Sequence, residues 1–192
     1  MKTKNLALLF TFIVAMALAC NKEKNAIQHN VTDYPDWVNK SAWAGEEGNE
    51  KEKVFFGVGS VSGIKNHSLA KRTADNRARN EIAKLFQTYS ASLMKDYQAS
   101  TTAGDFSATS EEQHVEEAIK TFTAQTLNGV EVIDHWIHPV DGTVYALARL
   151  NLSKFVDMVE KSNELNEKVK EYVRQNANKA HSALEVEEEK RS

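Results

Sequence analysis

Six histidines, one cysteine and several paired carboxylates are the residues in this 192-residue chain whose types could do chemistry. His135 and His138 have the spacing of a metal-ligand pair, yet in an extended strand positions three apart project from opposite faces. Zinc needs three or four convergent ligands, and no second cysteine exists to supply one. His29 and His181 fall towards mobile ends of the chain and His67 and His114 near helix starts, so surface roles are expected for all four. Glu111 with Glu112, and Glu116 with Glu117, sit on expected helix exteriors, where water leaves a carboxylate untuned for proton transfer. The motifs G-x-S-x-G, H-E-x-x-H and the phosphate loop do not occur. Gly57, Gly59 and Gly63 follow a strand pattern, but their spacing is G-x-G-x-x-x-G. The helix after them is still running where a dinucleotide site needs a second strand with an acidic residue. The chain is therefore expected to be non-enzymatic, with no catalytic residue, no cofactor and no metal.

Cys20 is different, because its neighbours give the thiol a purpose. Lys2 and Lys4 precede an apolar run from Leu6 to Ala19 broken only by Thr11, which is the layout of a secretory signal peptide. At about 14 residues the run is shorter than the roughly 20 that a membrane-spanning helix requires. Ala17-Leu18-Ala19-Cys20 resembles a bacterial lipobox, which implies cleavage before Cys20 and acyl chains on its thiol and new amino group. A single acyl chain binds membranes only marginally, whereas two or three anchor stably. Asn21 stands where an aspartate would signal retention at the inner membrane, so an outer-membrane location is expected, on a face that the residues do not specify.

Those positioning segments frame the rest. Residues 1–19 are the signal peptide, and residues 20–33, polar and without apolar period, a flexible tether. Removing the signal peptide takes the formal net charge from −3 to −5, which offers nothing to a nucleic-acid partner. Order is expected from Tyr34-Pro35-Asp36-Trp37-Val38, followed by a loop through SAWAGEEGNEKEK with Trp43 as a packing residue. Val54 to Val61 reads as a strand whose glycines mark a twist or close backbone contact. From Ser68 to about Tyr97 apolar residues recur every three or four positions, predicting an amphipathic helix with Arg72, Arg77 and Arg79 on a solvated face. Residues 98–109 are a linker. A capping box at Ser110-Glu111-Glu112-Gln113 opens a second helix, which a left-handed residue at Asn128-Gly129 should end.

Residues 130–138 and 143–152 flank Pro139-Val140-Asp141-Gly142 as a β-hairpin. Apolar side chains on both faces of its second strand call for cover on part of each side. Ser153 can cap a final helix bearing Phe155, Val156, Val159, Leu165, Val169, Val173, Ala177, Ala180 and Leu184, with a disordered tail EVEEEKRS. After Leu165 the apolar stripe narrows to the width of a helix–helix seam. That stripe can pack on its own domain, pair with another chain, or fray. The expectation is an α+β fold, an antiparallel sheet packed against helices in the order β-α-α-β-β-α with a long C-terminal helix.

Taken in order, the lipobox, YPDWV, VFFGVGS, ADNRARNEIAKLF, VEVIDHWIHP and DGTVYALARLN resemble the Lpp-twenty family of bacterial lipoproteins over about residues 34–160. The resemblance implies a compact α+β domain on the bacterial envelope and carries over no catalytic residues. Members include surface antigens, and related domains occur in lipoproteins that build outer-membrane structures around the flagellar motor. Residues 161–192, a helical extension with an acidic tail, lie outside it.

The functional expectation is a structural or interaction module of the cell envelope, held to the membrane through Cys20. Its partner is an envelope protein or a second copy joined through residues 155–184. The alternative is a periplasmic module binding a small molecule or envelope polymer between sheet and first helix, using Trp136, Tyr145 or the arginines. An envelope hydrolase is the most distant reading.

Overall fold

The structure, a computed structural model, describes residues 34–101 and 110–190. The expected signal peptide, Cys20, the expected tether and residues 102–109 lie outside the described residues, as do the side chains of Ser110, Glu111 and Glu112 in the expected capping box.

Four strands form one antiparallel sheet: β1 (Ala42–Glu47), β2 (Glu52–Val61), β3 (Glu131–Ile137) and β4 (Val144–Asn151). Their spatial order is β1-β2-β4-β3, so β2 and β4 occupy the centre although β2 ends long before β4 begins. Among the described residues four helices accompany the sheet: α1 (His67–Thr101), α2 (Ser110–Leu127), α3 (Leu152–Lys161) and α4 (Glu167–Glu189). The α+β class and the long C-terminal helix follow the expectation, with one extra strand and one extra helix.

The extra strand is β1, in the stretch read as a loop. AWAGEE carries little strand propensity, and it is extended because β2 templates it, with Ala42 opposite Gly57 and Trp43 opposite Phe56. The extra helix comes from a break at Ser162–Asn166. Ser162 ends α3, and the side chain of Asn166 accepts from the Val169 amide at 3.0 Å to start α4. Asn151, not Ser153, caps α3, its side chain accepting from the Ser153 amide. Gly142 adopts the left-handed φ of +71° that its turn requires, whereas Gly129 is not left-handed and α2 ends through tightened bonds from Asn128 and Gly129 to Gln125 and Thr126. Glu185 to Glu189 of the acidic tail are helical rather than disordered.

The helices bury their apolar stripes in one core, α1, α3 and α4 against one face of the sheet and α2 against α1 and α3. Ala70, Ala74, Ala78, Ile82, Phe86 and Tyr89 of α1 meet Phe55, Ala146, Ala148 and Leu150 from the strands. At Gly57 and Gly59 the helix lies backbone against backbone. A Cβ on Gly59 would fall 2.2 Å from the Ala78 nitrogen and 2.3 Å from the Ala74 oxygen. Leu165, Val169, Val173 and Ala177 join the same core, so the narrow stripe packs on its own domain. Residues beyond 160 belong to the same compact unit, Pro35–Ser192.

At the β3 edge an irregularity between Val132 and Asp134 inserts Ile133 as an unpaired residue. Such a bulge twists an edge away from further strand pairing.

Candidate functional site

On the face of the sheet turned away from the helices, strand alternation gathers a second set of large side chains. Val54, Phe56, Val58 and Leu147 form a small buried cluster, with Trp37, Trp43 and Tyr145 packed against it. Trp136 of β3 lies opposite Tyr145 in register, their rings 5.5 Å apart. All three tryptophans of the chain are therefore on this face. Each is half-buried, with part of its ring surface committed to the sheet.

Local contacts hold these rings in place. Trp43 stacks on Phe56 with centroids 4.8 Å apart and planes 19° from parallel, and the Lys40 ammonium stands 4.6 Å from the Trp43 ring. The Trp37 indole N–H donates to Asp134 at 3.2 Å. At the other end Arg149 of β4 bridges Glu47 of β1 at 2.5 Å and Glu131 of β3 at 3.1 Å, and Lys154 adds a 2.8 Å contact to Glu131. Hydrogen bonding from Lys154 and then Arg149 pulls the Glu131 carboxyl below its usual range, and bonds from Glu47 and Glu131 raise Arg149 further. The result is an aromatic platform bordered by an ionic network.

The other residues singled out from the sequence are dispersed. His135 faces α1, its Nε2 2.5 Å from an Asp75 carboxylate oxygen, while His138 turns towards Trp136 and accepts from the Val140 and Asp141 amides. Their opposite directions follow strand alternation. No group of three histidine, cysteine or acidic side chains suited to a metal occurs among the described residues. Arg77 and Arg79 are not simply solvated. Arg77 donates to the Ser60 carbonyl and Arg79 to the Val130 carbonyl, tying α1 to the end of β2 and the approach to β3. Along Gly57 and Gly59 sheet and helix are in backbone contact, so no ligand fits between them there.

His181 departs furthest from its expected surface role. It is fully buried, with Nε2 2.8 Å from the Val54 carbonyl. The sequence did carry a signal for it, since steps of four from Val169 through Val173 and Ala177 land on His181.

The domain is α+β, with helices on one sheet face and aromatic side chains on the other. The family model for the LPP20 lipoprotein matches residues 35–151, and the chain belongs to that family. It is accordingly a membrane-anchored lipoprotein of the envelope. The match ends at the last residue of β4, so α3 and α4 lie beyond it. No curated protein matches the chain. Among the described residues, no helix is long and apolar enough to cross a membrane.

Proposed function

We propose that this chain is a non-enzymatic outer-membrane lipoprotein whose domain, tethered through acyl chains on Cys20, binds an envelope protein partner with the aromatic face of its sheet. The observation that carries the reading is the gathering of Trp37, Trp43 and Trp136 on the one sheet face that the helices leave to other contacts. Tryptophan and arginine dominate the energetics of protein interfaces, because they combine large contact area with directed polar groups. The α4 stripe that could have joined a second copy is occupied within the chain. That favours a different protein as partner.

Labelling cells with radioactive palmitate tests the anchor. Label is expected on the wild type in the outer-membrane fraction and absent from Cys20→Ala, which should appear unanchored in the soluble fraction. Absence of label from both proteins would make Cys20 incidental and remove the anchor.

The binding face is tested by capture from outer-membrane extracts. Trp43→Ala combined with Trp136→Ala is expected to lose at least tenfold of any specifically captured envelope protein, about 1.4 kcal/mol or more of binding, while the far-ultraviolet circular dichroism of the domain is kept. Unchanged capture would overturn the assignment of this face. Size-exclusion chromatography with light scattering should give a monomer mass at all concentrations. A dimer abolished by the same pair of substitutions would assign the face to a second copy instead.

A further inference from the structure

We propose that His181 makes the docking of α4 on the sheet acid-labile, so that the C-terminal helix releases from β2 as its surroundings acidify. The argument starts from the geometry of one imidazole. His181 sits fully buried on α4, its ring 4.9 Å from Phe55 in an edge-on arrangement. The Val54 carbonyl can only accept, so Nε2 carries the hydrogen of the 2.8 Å bond between them. Nδ1 is then the unprotonated ring nitrogen, and it is buried with no hydrogen-bond partner among the described residues. A neutral ring tolerates that arrangement. A protonated ring would carry a full charge and a second N–H into the same apolar surroundings, where neither is compensated.

The groups around the ring do not reverse this. From β2, Lys53 faces it and donates at 3.0 Å to Ser182 of α4; from β1 comes Glu46, which contacts Lys53; and from α4 itself comes Glu185. From α1 the facing titratable group is Tyr89, whose hydroxyl donates at 3.0 Å to the Ala177 carbonyl and whose proton burial holds firmly in place. Burial is the largest influence and lowers the His181 proton affinity, Lys53 lowers it further, and the Val54 bond, Glu185 and Glu46 offset this only in part. The docked state therefore binds the proton less well than the released state, in which the histidine has its ordinary value of 6.5. Where the released state binds more protons, docking strengthens with pH. Docking is at full strength above 6.5 and weakens as pH falls from there towards the lowered value of the buried ring.

The polar links described across this part of α4 include the Val54, Lys53–Ser182 and Tyr89–Ala177 hydrogen bonds, so loss of the first leaves the helix held there by a charge-assisted bond from Lys53, a neutral bond from Tyr89 and its apolar packing. Release would expose the rings of Phe55 and Tyr89 beside the Val173–Ala177 face, creating an apolar surface at acid pH that is covered at neutral pH.

Amide hydrogen exchange on the intact protein at pH 7.5 and pH 5.0, corrected for intrinsic rates, reads the docking directly. Relative to amides of α1, those between Val173 and Ser182 should lose protection selectively and severalfold at the lower pH, because the released state binds the proton more strongly. In His181→Gln, whose amide can still donate to Val54 but cannot gain a proton, the selective loss should vanish. Equal loss across α1 and α4, or the same selective loss in the glutamine variant, would overturn the proposal. Should that variant fail to fold, a proton NMR titration of His181 in the wild type decides: a midpoint at or above 6.5 overturns the proposal, and a lower one supports it.

Discussion

Gly59→Ala is expected to destabilise the domain by about 3 kcal/mol, the upper part of the usual range for forcing extra volume into a packed interior. For a domain of this size that corresponds to a fall in melting temperature of about 10 °C. The cause is the backbone of α1. Two of the three nearest atoms to the new methyl group, the Ala78 nitrogen and Ala74 oxygen, are main-chain atoms that no rotamer change can move aside. The helix as a whole must retreat, and its retreat loosens Ile82 and Phe86 further along the same face. Gly45→Ala is the matched control, because its added carbon would meet only the Trp43 and Phe56 side chains at 3.4 Å or more, ordinary contact. Urea denaturation should show a much lower midpoint for Gly59→Ala and a nearly unchanged one for Gly45→Ala. Similar midpoints for the two variants would mean that α1 does not lie as close to β2 as described.

Phe55→Ala should cost more, about 4 kcal/mol, within the range observed when a buried phenylalanine is truncated to alanine. Total stabilities of natural domains are about 5–15 kcal/mol, so a domain at the low end of that range would keep only about 1 kcal/mol. Phe55 is fully buried and its ring stands 5.2 Å from Phe86, 5.1 Å from Tyr89 and 4.9 Å from His181. It thus joins β2 to α1 and α4 at one point, and Phe155 of α3 closes the cluster through Phe86 at 5.4 Å. Phe55→Leu, which keeps most of the volume, should cost about 1.5 kcal/mol. Calorimetry would measure both, and an alanine variant within about 1 kcal/mol of wild type would show that the cavity collapses or fills.

The parts of this fold readable from sequence are those whose signal is local. The α1 period, the Pro139–Gly142 turn and the aromatic β-branched run of β2 all specify themselves within a few residues. β1 does not, because Ala42, Ala44 and Gly45 are extended only through pairing with β2. The break at Ser162–Asn166 was masked by apolar residues that continue at helical steps on either side. The face of β3 was hidden by its bulge. Without Ile133 as an extra residue, strict alternation would put Val132 and Trp136 together, whereas Val132 pairs with Ala148 towards the helices and Trp136 with Tyr145 away from them. The aromatic platform was illegible for the same two reasons, since Trp43 lies in the unrecognised strand and Trp136 beyond the bulge. The lipidation proposed for Cys20 is read from its neighbours along the chain alone, and Cys20 lies outside the described residues.

The central place of β2 sets the tempo at which this protein can become native. Its partner β4 lies about ninety residues further on, with Val61 opposite Val144 and Val54 opposite Asn151, and contacts of such separation are slow to close. A chain emerging amino-terminus first across a membrane presents β1, β2 and α1 well before β4 arrives. During that interval one long edge of an apolar strand has nothing to pair with, which is the condition under which chains aggregate. The strand that organises the finished molecule is thus the one whose edge stays open longest while the molecule is being made.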